Sequence, residues 1–595
     1  MELLNLDGVI EKGVFEIPSY QRGYAWQERQ LKDFWNDLEH VSKLGDKFHY
    51  MHSLTLRELE NEFESSAFEI IDGQQRLATS LILLGLLAKI TQNKDPKYSL
   101  INLEPILSYK YYGLNEAFRA IMEEKDLERF QTSFYAKNLI YTYEFFKEKI
   151  SDTPVGTLEK MFDALIKKML FSVVELNDNR IDPFSSFETI NNRGKDLSTL
   201  ELLKNRLHFV VHKICDEEDL ENLQNEINDT YTRIYHDLRF FKDDHLEDFL
   251  KHFVAYYYGE NSKFKERLLN TEFDAHKKYH SSYDEYEKIN DLLLYLSYSS
   301  KVWYFLHKLD DEELRIEITP KMRGLLDKMR RLNALSYNAF LPLLLSLFTI
   351  QLAVRSGSER HYTTQELEGL LEYLERFGFL IYGVAGKNTA KNEWIGLAFK
   401  AIQACRFWGD KITIENLPTL EKNFFKGKHS GLELLEEYIH SKKNAEKWYQ
   451  WGKALNYLLY EYELHHNPET TLNFDSSIES IEHILPQKPD QGYSAKEKSW
   501  AKNPHIVHAL GNLLLISKNA NSSLSNKPFD EKRKEYLKGS YSEKEVAKNA
   551  SFGVVQIKER SEKLLDFLIA RYRIAELVGE NAIKAFKNAL LKEIR

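Results

Sequence analysis

Cysteine is almost absent from this chain, with only Cys215 and Cys405 among 595 residues. The two lie far apart and form no CxxC pair, which excludes a disulfide framework and a cysteine-based zinc knuckle. So little cysteine is typical of proteins from a reducing compartment. The sequence therefore predicts a cytoplasmic protein.

Long apolar runs are also missing. The longest, residues 81–88, is well short of the roughly 20 residues that a membrane-spanning helix needs. The first residues, MELL, lack the basic stretch that opens a secretory signal. We therefore expect neither a membrane anchor nor export.

The chain contains neither a low-complexity tract nor the phosphate-binding motif GxxxxGK[ST], so any nucleotide chemistry must use a different scaffold. Hydrophobic residues make up 43% of the chain, aromatic residues 13% and charged residues 29%, as in ordered, helix-rich proteins. At roughly 100–200 residues per domain, the length predicts about three to four domains.

Positive charge is concentrated at one end of an acidic chain. The net charge is −10, yet residues 481–595 hold 21 Lys and Arg against 14 Asp and Glu, a net charge of +7. Residues 1–480 therefore carry −17. The basic excess favours a nucleic-acid partner for the C-terminal segment, although lysine-rich helices with solvated faces explain it about equally well.

Periodicity divides the chain into three predicted domains. Residues 1–210 mix short β-like runs at 14–17, 68–71 and 170–176 with helical patterns at 30–41 and 77–90, which predicts an α/β or α+β domain. Residues 211–440 are almost wholly helical, and their aromatic residues favour core packing over base stacking. Residues 441–595 contain a helix, a strand at Glu482 and His483, and a final amphipathic helical stretch.

Two N-terminal runs combine amides, cations and a glycine. IPSYQRGYAW carries Tyr20, Gln21 and Arg22, and DGQQR, from Asp72 to Arg76, follows a strand-like run and opens an apolar helix. Backbone N–H groups at that helix start, together with Arg76, predict an anion site. The alternatives are an N-capping role for Asp72 and a plain surface loop for the first run.

A third run, FETINNRGKDLSTLE, holds Asn192 and Arg193. Its end is explained by a capping box of Ser198 and Glu201 ahead of an apolar helix. The preceding amides and cations suit a second wall for a nucleotide phosphate. A simple turn explains them about equally well.

The C-terminal segment holds residue types that suit phosphodiester hydrolysis. Glu482 and His483 lie in EHILPQ, and Asn512 and Asn521 follow within about forty positions. An imidazole that activates water, an adjacent carboxylate and a later amide are what a one-metal phosphodiesterase needs. A histidine alone would more often be structural, but this combination favours DNA cleavage. His505 and His508 have a spacing that suits a metal pair, yet Pro504 and the lack of cysteine favour ordinary polar roles.

The three N-terminal runs, IPSYQRGYAW, IDGQQR and FETINNRGKDLSTLELLKNRL, together resemble the DUF262 domain, which is related to the ParB/sulfiredoxin-like fold. EHILPQ and LGNLLLISKNANSSLSNKPFDEKRK resemble DUF1524, an HNH-type or His-Me finger (ββα) nuclease. The pair resembles the GmrSD-type modification-dependent (type IV) restriction enzymes and relatives in phage defence. The middle of the chain is matched only by position.

The resemblance implies an N-terminal domain that binds or hydrolyses a nucleoside triphosphate (GTP, ATP or CTP) and controls DNA cutting. The residues that it assigns to the nucleotide, with the neighbouring residues of the three runs, are Tyr20, Gln21, Arg22, Asp72, Gly73, Gln74, Gln75, Arg76, Asn192 and Arg193.

In the C-terminal domain the resemblance implies that His483 takes a proton from water and that Asn512 steadies the strand and loop around it. Glu482, where many relatives have Asp, and Asn521 would bind Mg²⁺ or Mn²⁺. Asn526 competes with Asn521 for the metal role. Basic residues predicted to bind DNA phosphates are Lys527, Lys532 and Arg533.

The sequence thus predicts an NTP-regulated, metal-dependent endonuclease that cuts modified phage DNA, with a homodimer as the expected assembly. One alternative is an NTP-dependent DNA-binding switch without cleavage. The other is a toxin-like nuclease acting on RNA or host DNA.

Overall fold

The computed structural model describes residues 2–594 except 60–65, 92–95, 111, 177–196, 216, 240, 242, 261, 281–282, 313, 332–336, 355–357, 360, 385–386, 408, 426–451, 473–477 and 490–491. The chain forms two compact units, Met1–Phe305 and Leu306–Arg595. Both are mostly helical, and the first contains a six-stranded sheet. The coarse prediction of a mixed α/β and helical protein is therefore confirmed.

The sheet of the first unit is mixed and has the order β1-β6-β3-β4-β2-β5. β1 and β6 pair antiparallel, as do β3 and β4, whereas the other neighbours pair parallel. The strands are β1 Glu2–Asn5, β2 Val14–Ile17, β3 His49–Leu59, β4 Ala67–Asp72, β5 Leu107–Tyr109 and β6 Met169–Glu175. The β-like runs predicted near residues 14, 68 and 170 are confirmed as β2, β4 and β6.

The helix Gln74–Ile90 follows β4 directly and is buried from Leu77 to Ala88. Such an apolar helix is stable only inside a core, and this one contacts the neighbouring helices Leu100–Leu103, Phe134–Ser151 and Val155–Lys167. Its position places the DGQQR run at the junction of strand and helix. The α-helices of this unit are Leu6–Lys12, Glu28–Ser42, Gln74–Ile90, Leu100–Leu103, Tyr112–Met122, Phe134–Ser151, Val155–Lys167, Thr199–Ile214, Glu217–Asp237, Asp243–Tyr258, Phe264–Glu266 and Tyr283–Lys308, the last of which crosses the division at residue 305.

Within its described residues, the second unit contains one antiparallel strand pair, β7 Glu479–His483 with β8 Leu513–Ser517, among helices. The strand predicted at Glu482 and His483 is therefore confirmed. Its α-helices are Pro320–Arg331, Tyr337–Ala353, Thr364–Phe377, Lys391–Phe407, Leu420–Phe425, Lys453–His466, Ala495–Ala501, Pro504–Val507, Lys518–Leu524, Phe529–Tyr536, Tyr541–Ala547, Val554–Arg571, Ile574–Val578 and Glu580–Glu593.

The segment 211–440 is helical and contains no strand within its described residues, as its periodicity predicts. Phe253, Tyr256 and Tyr257 are buried, which confirms their packing role. The division at residue 305 falls inside this segment, and the domain boundaries at 210 and 440 stay predictions. No helix in the described ranges combines the length and apolarity needed to cross a membrane.

Candidate functional site

The first two N-terminal runs lie against each other, although about fifty positions separate them in sequence. Gln75 Nε2 donates to the carbonyl oxygen of Gly23 at 3.0 Å, and Gln75 Oε1 accepts from the backbone N–H of Ala25 at 2.8 Å. Gln74 Nε2 donates to the carbonyl oxygen of Arg22 at 3.0 Å. The structure therefore brings these predicted nucleotide residues together.

Two glutamine oxygens in this cluster are buried acceptors. Gln21 Nε2 donates to the carbonyl oxygens of Ile70 and Ile71, just as Gln74 Nε2 donates to a backbone carbonyl. Because a carbonyl can only accept, both amide orientations are fixed. Gln21 Oε1 and Gln74 Oε1 have no hydrogen-bond partner within the described part of the chain. A ligand with N–H or O–H donors would satisfy such oxygens.

Asp72 does not cap the following helix, so the N-capping alternative is wrong. The cap residue is Gly73 at φ +105°, and no side chain of the described residues caps the first turn. Asp72 Oδ2 instead accepts from Arg76 and from the Ser53 hydroxyl, each at 3.1 Å, and Arg76 also donates to the Ser53 carbonyl oxygen. The helix start thus presents N–H groups that no side chain caps, as an anion site requires.

Tyr20 and Arg22 are both buried. The Tyr20 ring packs edge-on against His208, with the ring centroids 6.4 Å apart. His208 lies on the helix that the capping box of the third run starts. Asn192 and Arg193 fall outside the described residues, so their nucleotide role stays a prediction.

The C-terminal motif folds into two strands and a helix. β7 and β8 pair so that His483 lies opposite Leu513, the residue after Asn512. The helix Lys518–Leu524 follows β8 directly, and Ser517 caps it by accepting from the backbone N–H of Ala520. This strand pair therefore places His483 at the end of one strand and Asn512 just before the other.

Asn512 uses both ends of its amide to hold the loops around His483. It has no exposed surface. Its Oδ1 accepts from the backbone N–H of Leu485 at 2.8 Å, and its Nδ2 donates to the carbonyl oxygens of Leu485 and Val507 at 2.9 and 2.7 Å. These contacts match the steadying role that the sequence predicts for this residue.

His483 is buried and contacts a second histidine. Its Nε2 lies 3.1 Å from Nδ1 of His508, which is also buried. Burial, with smaller effects from His508 and Lys532, lowers the pKa of His483 to about 3. Burial therefore favours the uncharged ring, which is the form that can accept a proton.

The Glu482 carboxylate is paired with a buried lysine. Lys532 Nζ donates to Glu482 Oε1 at 2.5 Å and to the carbonyl oxygens of His483 and Ile484 at 3.0 and 3.3 Å. The Tyr536 hydroxyl donates to the same carboxylate oxygen. Burial raises the pKa of Glu482 and lowers that of Lys532, and the ion pair opposes both effects.

The predicted DNA-binding residues differ in exposure. The Lys532 side chain has no exposed surface, so its predicted phosphate contact does not fit this structure. Lys527 is exposed, whereas Arg533 is partly buried and donates to the carbonyl oxygen of Ala547. Exposure therefore leaves Lys527 as the strongest of the three candidates for contacting phosphate.

The buried face of the helix Val554–Arg571 supports the turn that carries Asn512. Arg560, on the helix Val554–Arg571, donates to the carbonyl oxygens of Gly511 and Leu513 at 2.9 and 2.7 Å. The neighbouring Ser561 hydroxyl accepts from the backbone N–H of Gly511. Since these bonds hold the residues on both sides of Asn512, the helix fixes the position of this turn.

Two family models match the chain. The N-terminal domain of the GmrSD restriction endonuclease matches residues 3–208, and the C-terminal domain of these enzymes matches residues 435–567. The chain belongs to the GmrSD restriction endonuclease family. The membership supports a type IV restriction nuclease with DNA as its substrate. No curated protein matches the sequence.

A divalent metal ion is predicted for this GmrSD protein. The Glu482 carboxylate that would bind it is already paired with Lys532. Glu482 and Asn521 have oxygen atoms suited to Mg²⁺ or Mn²⁺. Asn521 donates through Nδ2 to the Ser480 hydroxyl and the Ile481 carbonyl oxygen. However, the Lys532 ammonium already neutralises Glu482, and no three His, Cys, Asp or Glu converge as metal ligands within the described residues. As arranged here, these side chains do not fit a divalent cation. The metal roles of Glu482, Asn521 and Asn526 stay predictions.

Sequence reasoning named two residues of the GmrSD site, His508 and Lys532, but did not predict their contacts. His508 precedes Asn512 by four positions, and its spacing from His505 suggested a possible metal pair rather than a partner for His483. Lys532 resembles its basic neighbours in sequence. The sequence signal for their shared partner was the i,i+4 spacing of Lys532 and Tyr536. This spacing places both side chains on one face of a helix.

Proposed function

We propose that the C-terminal domain of this GmrSD protein is an HNH-type nuclease with a His-Me finger fold and His483 as its general base. The position of His483 at the end of β7, beside the turn and loops that Asn512 holds, is the observation that carries this proposal. The strand, strand and helix order from Glu479 to Leu524 matches the ββα outline of that fold.

In the proposed reaction, His483 accepts a proton from water as the water oxygen attacks the DNA phosphorus. A new P–O bond forms, and the P–O bond to the leaving oxygen breaks. The leaving oxygen then takes up a proton. Asn512 holds the two loops that set the ring's position, and exposed Lys527 attracts the DNA backbone.

We further propose that the N-terminal domain has a ParB-like fold and binds GTP, ATP or CTP. The uncapped helix start at Gly73 suits a phosphate, and the buried oxygens of Gln21 and Gln74 suit ligand donors. Nucleotide binding and recognition of modified DNA would favour the conformation that presents His483 to the substrate. The biological role is cytoplasmic defence against phage, with a homodimer as the proposed assembly.

Cleavage of matched modified and unmodified phage DNA tests these proposals. Wild type, His483→Ala and the surface control His505→Ala are compared with Mg²⁺, Mn²⁺ or a chelator, with and without each nucleotide. We expect wild type and His505→Ala to cut modified DNA only, and His483→Ala to lose at least about 10²-fold in rate.

Each arm of this assay can contradict one part of the proposal. Nucleotide hydrolysis without any cutting would favour a DNA-binding switch, and equal cutting of unmodified DNA or RNA would favour a toxin-like nuclease. Full activity with a chelator would contradict the metal dependence that the sequence predicts. Full activity of His483→Ala would remove the proposed base.

A further inference from the structure

The chain that connects β7 to β8 is held beside His483. Asn512 closes this connection, because its amide binds both Leu485 near the start and the Val507 carbonyl oxygen near the end. The ring of His508, which also belongs to the connection, has its centroid 5.2 Å from that of the His483 ring. The connection therefore forms part of the surroundings of the proposed base.

The connection also packs against the segment that carries Lys527. The Tyr493 hydroxyl donates to the carbonyl oxygen of Lys527 at 2.5 Å. A Cβ atom at Gly492 would lie 2.6 Å from Cγ of Pro528, so the two segments are in close contact. The connection thus adjoins the lysine that is proposed to attract the DNA backbone.

One helix of the connection, Ala495–Ala501, presents lysines to solvent. Its packed side is marked by Trp500, whose ring lies so close to Gly553 that an added Cβ would meet it at 2.9 Å. Lys498 and the capping residue Lys502 are four positions apart, so they share another side of the helix, and both are exposed. The helix therefore has a packed side and a basic side.

Three exposed lysines of the connection have no acidic partner. This basic face consists of Lys488, Lys498 and Lys502. None of them forms an ion pair with a carboxylate in the described part of the chain, whereas the exposed Lys538 pairs with Glu535. Glu497, the one acid among the described residues of the connection, accepts from the backbone N–H and the hydroxyl of Ser494 at 2.7 and 2.6 Å. Within these residues, no carboxylate neutralises the charge of the basic face.

Such a surface is complementary to a nucleic-acid backbone. Duplex DNA carries one negative charge per roughly 1.7 Å of helix axis, and exposed lysines bind its phosphates with release of counterions. Lys488 follows His483 by five positions, so the two Cα atoms are at most about 18 Å apart. The basic face therefore lies within reach of the backbone of a duplex whose scissile phosphate meets His483.

We propose that the basic face binds phosphates beside the scissile bond and so holds the DNA against His483. This inference rests on the proposed nuclease function of His483. Contacts to phosphate carry no sequence information. The basic face therefore holds modified and unmodified DNA equally, and the discrimination between them lies elsewhere in the chain.

Binding of a fluorescein-labelled, unmodified DNA duplex to the full-length protein tests this proposal. A chelator is present, which keeps binding separate from the proposed metal-dependent cutting. One variant removes the three charges: Lys488→Gln, Lys498→Gln and Lys502→Gln. A second variant keeps them: Lys488→Arg, Lys498→Arg and Lys502→Arg. The control removes three exposed charges from other helices of the same unit: Lys453→Gln, Lys544→Gln and Lys584→Gln.

We expect the triple-glutamine variant of the basic face to bind at least about tenfold more weakly at about 0.1 M salt. The slope of log affinity against log salt concentration should fall by about 2–3, because each lost contact to phosphate lowers it by about 0.9. The arginine variant should stay within about threefold of wild type, because arginine also binds phosphate. The control has the same net charge as the triple-glutamine variant and should keep the wild-type slope.

Three outcomes would overturn the proposal. An equal loss of affinity in the control would show that net charge, rather than the basic face, sets the affinity. An equal loss in the arginine variant would show that packing, rather than charge, was disturbed. Unchanged DNA binding by the triple-glutamine variant, whether or not it loses binding to an RNA duplex, would show that DNA does not contact the basic face. Melting curves verify that each variant folds, as expected for exposed positions.

Single-turnover cleavage of modified phage DNA separates binding from chemistry. When DNA saturates each protein, we expect the triple-glutamine variant to cut at the wild-type rate, with only the half-saturating DNA concentration raised. A lower rate at saturation would contradict a role in holding DNA alone. Failure of the proposed nuclease would appear separately, as full activity of His483→Ala or as no cutting by wild type, and would leave the binding measurement intact.

Discussion

His208 is a histidine whose charged form the fold excludes. It lies buried in the helix Thr199–Ile214, and burial lowers its pKa to about 3. In the unfolded chain its pKa is about 6.5, so unfolding takes up a proton between these values. Its contribution to stability is therefore complete above pH 6.5 and is lost as the pH falls toward 3. The loss amounts to about 1.4 kcal/mol per pH unit within this window.

We expect His208→Gln to show a smaller fall in the free energy of unfolding between pH 6 and pH 4 than wild type, by about 2 kcal/mol. Urea unfolding of the first unit, followed at several pH values, measures this difference. His212→Gln on the exposed side of the same helix is the control and should keep the wild-type slope. An unchanged slope in His208→Gln would mean that the folded protein can protonate His208.

At the residue scale, the sequence predicted the chemical roles of side chains better than their burial and contacts. The resemblance assigned Asn512 to the strand and loop around His483, and its amide indeed binds Leu485 and Val507. The sequence could not distinguish Lys532 from Lys527, because both are basic side chains within a few positions. Burial separates them: one neutralises a carboxylate and the other faces solvent. That difference depends on how the helix Phe529–Tyr536 packs, which no local pattern contains.

The turn before β8 and the helix Val554–Arg571 approach each other so closely that only glycine fits between them. A Cβ atom at Gly511 would lie 2.0 Å from the carbonyl oxygen of Ile557 and 2.6 Å from the backbone nitrogen of Ser561. Neither atom belongs to a flexible side chain. Substitution must therefore separate the turn from the helix.

We expect Gly511→Ala to lower the free energy of unfolding of the second unit by at least about 2 kcal/mol and to reduce cleavage, because the turn also positions Asn512. Thermal and urea unfolding measure the effect. Gly396→Ala is the control, since a Cβ at this helical position meets no atom within 4 Å. It should stabilise the unit by up to about 1 kcal/mol. Equal stability of the two variants would show that the turn can move without cost.

At the element scale, short apolar strands bounded by turn residues were predictable from the sequence. A strand that combines polar and apolar residues, such as β3, was not. β2 and β4 are short apolar runs that end at Ile17 and Asp72, next to proline and glycine. β3 is longer than either, yet its sequence HYMHSLTLREL combines polar and apolar residues with a bulge after Thr55. A bulge breaks the alternation on which strand prediction depends. The ladder with β6 and β4, rather than local pattern, stabilises β3.

A buried charge cluster joins distant parts of the second unit. Arg571 donates to Glu375 at 3.2 Å and to Glu461 at 3.1 Å, and both carboxylates are buried. Lys328 pairs with Glu461 at 3.0 Å, and the Tyr457 hydroxyl donates to Glu375. Helices from the middle and from the C-terminal segment thus share one set of ion pairs.

Removing Arg571 would leave Glu375 without its ion-pair partner and Glu461 with only Lys328. We expect Arg571→Met to lower the free energy of unfolding of this unit by at least about 2 kcal/mol, because a buried carboxylate without its partner is costly. Calorimetry measures the shift in melting temperature. Arg573→Met, which removes an exposed ion pair with Glu576, should change stability by less than about 1 kcal/mol. A similar small effect of Arg571→Met would show that solvent reaches the cluster.

At the scale of the whole molecule, the sequence predicted which segments are helical and which carries the nuclease motif. It did not predict the contacts between segments that are distant in sequence. The helical middle and the nuclease segment are clear from periodicity and motifs. The contacts between Glu375 and Arg571 link residues nearly two hundred positions apart, and a helix interior shows no local sign of such a partner. The two family models, at residues 3–208 and 435–567, likewise leave the middle helices unmatched.

The strand order of the first unit also determines when its sheet can be completed during synthesis. β1 begins at Glu2, yet it pairs only with β6, which ends at Glu175. At roughly 5–20 residues per second, a ribosome needs about 10–35 s between these two strands. During this interval β1 has no sheet partner, so this edge of the sheet forms only after β6 has been made. Chains truncated before residue 169 therefore lack the strand against which β1 pairs.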